Sequence, residues 1–464
     1  MTDAYDVVVV GAGTGGYSTA LRAAQLGKRV AIVERDERLG GTCLLRGCIP
    51  TKALLQSAAV MDTVNRAQEW GIKASGDPDW SAVRAFEDKI VDKLVKGITG
   101  LIKNRGIAVL RGTAKLLPAS GDGPALEVDG TRVEATDVVI ATGSKPRLLR
   151  DVQLTDRIIT SDEALRYDTI PGSAVVIGAG AVGLEFASLY RSLGAEVTLL
   201  EALPGLAPLE DEDVSAEIAK AFRRRGIKAS AGASVKEIAD TGEAVDVTFE
   251  AGGKAEKVSA DICLVAIGRG PVTEGLGLEE AGVSMHDKGF VNVDGQLRTN
   301  VDHVWAVGDV AATPLQLAHV AFTEGYAVAE RIAGETVPDI DYVNIPRVTY
   351  STPEIASVGL TAAQAKDAGR SVATSHLDFR AIGKANILGE GGFVKVVSEQ
   401  GGGPVLGVHM IGPHVTDLIA EAMLITNWEA VPAEVAALIH PHPSLSEAIG
   451  EAHLALAGKP LHTV

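Results

Sequence analysis

Cysteine is scarce in this sequence, with three residues in 464. Three cysteines cannot build the disulfide framework of a small extracellular domain. The count instead favours a cytosolic setting, where a cysteine pair is catalytic or metal-binding. Aromatic residues are also few, at 4%. Positive charge is in deficit: 43 Lys and Arg stand against 60 Asp and Glu, for a net charge of −17. With no basic stripe to neutralise phosphates, nucleic-acid binding is not expected. The acidic balance reads as a soluble, self-repelling surface. No apolar run is long enough to span a bilayer, so no membrane segment is expected. The N-terminal MTDAYDVVVVGAG runs straight into a strand pattern, without the layout of a signal peptide. Low-complexity tracts are absent.

Glycine is plentiful, at 52 residues, and the chain is 46% hydrophobic. Its length suits roughly three domains of about 150 residues. Two stretches repeat. YDVVVVGAGTGGYSTALRAAQLGKRVAIVERD begins at Tyr5, and SAVVIGAGAVGLEFASLYRSLGAEVTLLEALP begins at Ser173. A single offset aligns Gly11 with Gly178, Gly13 with Gly180, Gly16 with Gly183 and Glu34 with Glu201. Each copy reads as an apolar strand, a G-x-G-x-x-G turn, an amphipathic helix, a second apolar strand and a glutamate. That is a dinucleotide-binding βαβ unit. The first glycine allows the tight turn, the second a close approach of the pyrophosphate, and the third close packing of helix on strand. The helix N-terminus offers N–H groups and a positive dipole end to the phosphates, and the glutamate accepts from ribose hydroxyls. No arginine follows Glu201 to meet a 2′-phosphate, which favours NAD over NADP in the second copy.

Further apolar strands end in related turns at DVVIATGSKP (137–146), DICLVAIGRGP (261–271) and HVWAVGDV (303–310). After residue 342 the texture changes. IPRVTYSTPEIASVGLT, SVATSHLDF, GGFVKVVSE and PVLGVHMIG read as strands of an antiparallel sheet. TDLIAEAMLITNWEA and PAEVAALI read as helices. The fold class is therefore α/β, with two Rossmann-like dinucleotide domains and a C-terminal α+β domain.

Two of the cysteines stand together in GGTCLLRGCIPTKALL (40–55). As metal ligands they lack the second pair that a zinc site needs. As inert thiols they would be core residues, which is the reading for Cys263 in its apolar strand. As a redox pair they need a distorted helix, because residues five apart on a regular helix are too distant for a disulfide. Pro50 and Gly47 supply the expected distortion. Strain near a helix N-terminus also favours thiolate and a reducible bond. Lys52 follows Cys48 by one turn, placed to support a thiolate or a reduced cofactor. Glu185, just inside the second dinucleotide helix, is a suitable partner for it.

HPHPSLSEA (440–448) carries two of the ten histidines. Glu447 can reach back to His442 and fix its tautomer, a base with an orienting acid. A substrate thiol needs such a base near neutrality. His440 reads as structural.

With these residues in view, the chain resembles the flavoprotein disulfide reductases with a C-x4-C centre. GGTC-x4-C-I-P-[ST]-K-A-L and H-x-H-P-[ST]-x-S-E-A carry the resemblance, with LQLAHVAFTEG (315–325) and TPEIASVGLT (352–361), and it covers essentially the whole chain. The resemblance implies an FAD domain at 1–147 and 272–342, an NAD domain at 148–271 and an interface domain at 343–464. It implies FAD contacts at Gly11, Gly13, Gly16, Glu34, Thr42, Lys52, Ala114, Gly143, Asp309 and Ala318. For NAD it implies Gly178, Gly180, Gly183, Glu185, Glu201, Val235 and Gly268. Cys43, Cys48, His442 and Glu447 would be catalytic, with the histidine serving the other subunit of a homodimer. The implied activity is NAD⁺-linked oxidation of dihydrolipoamide carried on lipoyl domains of 2-oxo acid dehydrogenase complexes or of the glycine cleavage carrier protein. Reduction of another low-molecular disulfide is the alternative. Leu45-Arg46 departs from the commoner Asn-Val, which brings a charge close to the disulfide.

Overall fold

The valine-rich run Tyr5–Val10 is buried on both faces, as expected of a parallel strand covered by helices. In the computed structural model, which describes residues 5–118 and 123–462, it lies between Val30–Glu34 and Thr131–Ile140, parallel to both. Ala108–Arg111 extends the sheet beyond Val30–Glu34, and Val304–Ala306 pairs in parallel with Thr131–Ile140. The antiparallel strands Ala114–Leu116 and Ala125–Val128 complete it. Helices Thr14–Gln25 and Ala318–Ile332 pack together on this sheet. The chain divides into two compact units, and this first one comprises 1–54, 79–147 and 269–342.

The second unit comprises 55–78, 148–268 and 343–464. It contains the second parallel sheet, in the order Lys228–Ala231, Glu196–Glu201, Ser173–Ile177, Ile262–Val265, Ile158–Ile159. A three-stranded antiparallel sheet, Ser234–Asp240, Val245–Ala251 and Lys254–Ala260, accompanies it. The antiparallel pattern read after residue 342 forms a five-stranded sheet with Val405–Gly412 at its centre. That strand is buried along its whole length, and helix Val415–Asn427 packs on it.

Residues 55–78 join this unit through specific bonds. Asp62 accepts from Ser192 at 2.7 Å and from Arg225 at 2.8 Å, and the Trp70 indole donates to the Ile387 carbonyl at 3.2 Å. PAEVAALI is helical only over Pro432–Val435. Pro441 and Pro443 lie just beyond, and proline and the residue before it disfavour a continuing helix.

Candidate active site

The two fingerprints fold alike, down to single hydrogen bonds. Gly11 has φ +102° and Gly178 has φ +103°, which an L side chain rarely adopts. A Cβ on Gly16 would stand 1.9 Å from the Gly11 carbonyl oxygen, and one on Gly183 1.8 Å from that of Gly178. Glu34 Oε2 accepts from the Ala12 N–H at 2.7 Å, and Glu201 Oε2 from the Ala179 N–H at 2.6 Å. Their second oxygens accept from Asp36 and Leu203 N–H groups. Both glutamates are thus buried and anchored to their glycine loops, with lone pairs left for ribose hydroxyls.

Gly13 and Gly180 differ in kind. Their backbones are extended, and a Cβ would meet only Gly41 Cα at 3.8 Å in one case and nothing within 4 Å in the other. No protein neighbour demands a glycine there, whereas an approaching pyrophosphate does. The helices they cap, Thr14–Gln25 and Ala181–Ser192, have neither a side-chain cap nor an acid in the first turn. Both N-termini fit a dinucleotide's phosphates.

The redox segment is built onto the first loop. Gly40 N–H donates to the Ala12 carbonyl at 3.0 Å, and Gly41, at φ +60°, lies against Gly13. The expected distortion is a full break: one helix runs Gly41–Arg46, Gly47 leaves helical geometry at φ −153°, and a second helix begins at Cys48. Gly47 is hemmed in, since a Cβ would meet the Thr42 carbonyl oxygen at 2.9 Å. Pro50 falls in the first turn of the new helix, where its missing N–H costs no bond. Leu44, Leu45 and Ile49 pack on Val91, Val95 and Ile98 of helix Trp80–Asn104.

Cys43 and Cys48 are both half-buried thiols in this structure and hydrogen-bond to each other. That bond is the main reason the Cys43 thiol is pushed up. Burial and the charge of Cys48 add to the shift, while Lys52 opposes it. Tyr17, whose hydroxyl is raised by burial and by Cys43, is a neighbour that the sequence reading missed. Cys263 is fully buried and pushed up to about 12, an inert core thiol as expected. Arg46 is ion-paired with Asp36, two residues past Glu34.

Among the cofactor positions of the first unit, Thr42 lies in the redox helix and Ala114 is buried in its strand. Gly143 has φ +72° with open space at its Cβ. Asp309 accepts from the Ser144 hydroxyl, which Arg269 also holds at 2.7 Å. Ala318 opens a helix whose first turn has no cap and no acid. In the second unit, Glu185 accepts the Tyr350 N–H at 3.0 Å, Val235 lies in an antiparallel strand, and Gly268 has φ +110°. Lys52 belongs to the first unit and Glu185 to the second.

His442 Nδ1 lies 2.8 Å from Glu447 Oε1, and Glu447 Oε2 accepts the Ser444 N–H at 2.8 Å. Burial pushes the Glu447 carboxyl up, but the Ser444 and His442 contacts outweigh it, and it stays below its ordinary value. The Nδ1 contact leaves Nε2 as the nitrogen that could meet a substrate. Among the described residues no cluster could hold a metal ion, and no helix is long and apolar enough to cross a membrane.

The family model described as pyridine nucleotide-disulphide oxidoreductase matches residues 5–325, and the model of that family's dimerisation domain matches 345–453. The chain belongs to this family. It is an oxidoreductase of two Rossmann-like domains and an α+β dimerisation domain, and FAD and NAD are its cofactors. The dimerisation domain supports a homodimer. The chain is 42% identical to dihydrolipoyl dehydrogenase of Bacillus subtilis, covering 100% of both chains. It is 41% identical to that of Thermus scotoductus over 99% of this chain and 98% of the relative. Among solved structures it resembles LpdA of Mycobacterium tuberculosis, with a TM-score of 0.89 at 27% identity, covering 97% of this chain and 99% of that one. It also resembles the HOCl-induced flavoprotein disulfide reductase RclA of Escherichia coli, with a TM-score of 0.86 at 26% identity, covering 97% and 99%.

Proposed function

We propose that this oxidoreductase oxidises dihydrolipoamide carried on a lipoyl domain and reduces NAD⁺. The observation that carries the reading is the contact of Cys43 with Cys48 across the Gly47 break. The working cycle starts from the oxidised pair. His442 Nε2, set by Glu447, takes the proton of one substrate thiol. The substrate thiolate attacks Cys43 Sγ, the Cys43–Cys48 bond breaks, and Cys48 leaves as thiolate. The protonated base gives its proton to Cys43 as that sulfur leaves and takes up the proton of the second substrate thiol, whose sulfur closes on the first and releases the cyclic disulfide. Substrate loses two electrons and two protons: the Cys43 thiol and Cys48 thiolate hold the electron pair, with one proton on Cys43 and the other on His442. Bound FAD would supply a two-electron acceptor for the Cys43–Cys48 pair, with Cys48 facing it, and a hydride donor for NAD⁺.

FAD would be held by Gly11, Gly13, Gly16, Glu34, Thr42, Lys52, Ala114, Gly143, Asp309 and Ala318, within 1–147 and 272–342. NAD would be held by Gly178, Gly180, Gly183, Glu185, Glu201, Val235 and Gly268, within 148–271. Residues 343–464 would form the two-fold interface. The His442 side chain is 76% exposed in the single chain, which suits a base serving the other protomer. Lipoyl domains of 2-oxo acid dehydrogenase complexes or the glycine cleavage carrier would be the partners, in the cytoplasm, where Cys263, outside the cycle, stays reduced. The test sets dihydrolipoamide-dependent NAD⁺ reduction beside NADH-dependent reduction of glutathione disulfide. Faster turnover of glutathione disulfide would overturn the reading.

A further inference from the structure

His442 is mostly exposed and its ring contacts Glu447, so the exposed ring does little to hold its own backbone in place. The residue two positions earlier is the opposite. The His440 side chain is 12% exposed, and its Nε2 lies 2.7 Å from Glu421 Oε1 on helix Val415–Asn427. Its ring covers Gly450 in helix Glu447–Leu456, where a Cβ would stand 2.5 Å from His440 Nδ1. A glycine inside a helix is disfavoured by about 1 kcal/mol against alanine. Here the missing side chain makes the seat for the imidazole.

The consequence is geometric. His440 fastens the segment 440–446 to two helices at once. One of them begins with Glu447, three residues before Gly450. Both members of the His442–Glu447 pair are therefore tied to the same bolt, His442 through the chain and Glu447 through its helix. The charges around the bolt agree with this arrangement. Glu421 raises the His440 imidazole, with Glu447 adding to the effect and burial opposing it. His453, fully buried on the same helix, is lowered by burial and donates from Nδ1 to the Ile449 carbonyl at 2.6 Å. His462, 3.1 Å from Glu451, adds to the field at Glu447.

We infer that His440, clamped by Glu421 and seated on Gly450, is a positioning residue that sets the His442–Glu447 base for thiol oxidation. The inference rests on the reading of His442 given above. The test uses the full-length FAD-loaded enzyme. His440→Leu and Glu421→Leu should each lower kcat for dihydrolipoamide between about 10- and 100-fold, the range for misplacing a general base, with KM unchanged. The double variant should fall no further than the worse single, because both act through one contact. His440→Gln, which can still donate to Glu421, should recover most of the loss. NADH-to-ferricyanide transfer uses no thiol base and should match wild type in all of them.

An unchanged kcat in His440→Leu overturns the inference, and so does a parallel loss of both activities, which would mark a folding role. If His440→Leu yields no holoenzyme, Gly450→Ala decides: it displaces the ring without deleting it and should lower kcat alone, and an unchanged kcat overturns the inference. The His442→Gln control keeps the two readings apart. If it retains dihydrolipoamide turnover, the reading of His442 falls; if it is inactive while His440→Leu is normal, only the positioning role falls.

Discussion

A Cβ on Gly41 would lie 2.5 Å from the Cα of Gly13. The first turn of the redox helix therefore sits directly on the dinucleotide loop, backbone against backbone. Gly41→Ala has to move one or the other, and it places alanine at φ +60°. Left-handed backbone costs a non-glycine residue roughly 1–2 kcal/mol, and overpacking adds about 1–3 kcal/mol. The expected result is a protein that still folds, unfolds at lower temperature and releases FAD on dilution. Visible absorbance after gel filtration checks this; full retention of FAD would mean that the loop and the helix are not coupled.

The hydrogen bond between the two cysteines predicts an asymmetry in reactivity. Cys43 is pushed up chiefly by Cys48, while Lys52 pulls it down. In Cys48→Ser the sulfur that accepts the Cys43 S–H bond is gone, and Lys52 remains. The pH midpoint for alkylation of Cys43 by iodoacetamide should then fall below that of the reduced native protein. Lys52→Met in the same background should move it back up. A midpoint that ignores both changes would mean that the two sulfurs do not interact. Cys48→Ser should also lose dihydrolipoamide turnover.

The two dinucleotide units were legible in the sequence because their signal is local. Glycines, helix and terminal acid fall within one βαβ unit, and the spacing alone fixes their geometry. The antiparallel texture after residue 342 was legible for the same reason, through alternation along single strands. Other features depend on contacts between distant residues. The pairing of Gly41 with Gly13 requires knowing that the chain returns to the loop it has left. The Glu421 partner of His440 lies 19 residues away on another helix. The seat that Gly450 offers the His440 ring depends likewise on how the chain folds back on that helix. The glutamates were read as ribose acceptors, and the structure adds that each also ties down its own glycine loop.

Arg46 sits between the cysteines, and its guanidinium pairs with Asp36, at 37% and 29% side-chain exposure. A partly exposed pair of this kind is worth at most about 1 kcal/mol. Its charge is already neutralised, so it offers little to an anionic disulfide. Arg46→Val should therefore leave the ratio of lipoamide to glutathione disulfide turnover unchanged. A rise in that ratio would show that Arg46 recognises the acidic substrate after all.

The second unit holds an ion pair whose pH dependence can be signed. Lys395 Nζ lies 2.7 Å from Asp211 Oδ1 and 2.6 Å from Asp213 Oδ2, and the Lys395 and Asp211 side chains are both buried. Burial pushes the Asp211 carboxyl up, but Lys395 and the Asp213 N–H outweigh it, so the folded value lies below the ordinary 3.8. A carboxyl depressed by folding adds stability above its unfolded value, and that stability is lost as the pH falls through the folded one. Asp211 also caps helix Glu212–Arg224 through the Asp213 N–H. Removing one partner of a buried pair costs up to about 3–5 kcal/mol when the other charge is left uncompensated, and less here because Asp213 still pairs with Lys395. Asp211→Asn should therefore lower the unfolding temperature clearly at pH 7. The gap to the native protein should narrow below pH 4, where the native carboxyl also takes up a proton. Adding Lys395→Met should restore part of the loss, since no buried charge then remains. A gap that stays constant from pH 7 to pH 3 would mean that the carboxylate contributes through its shape and its helix cap, and not through its charge.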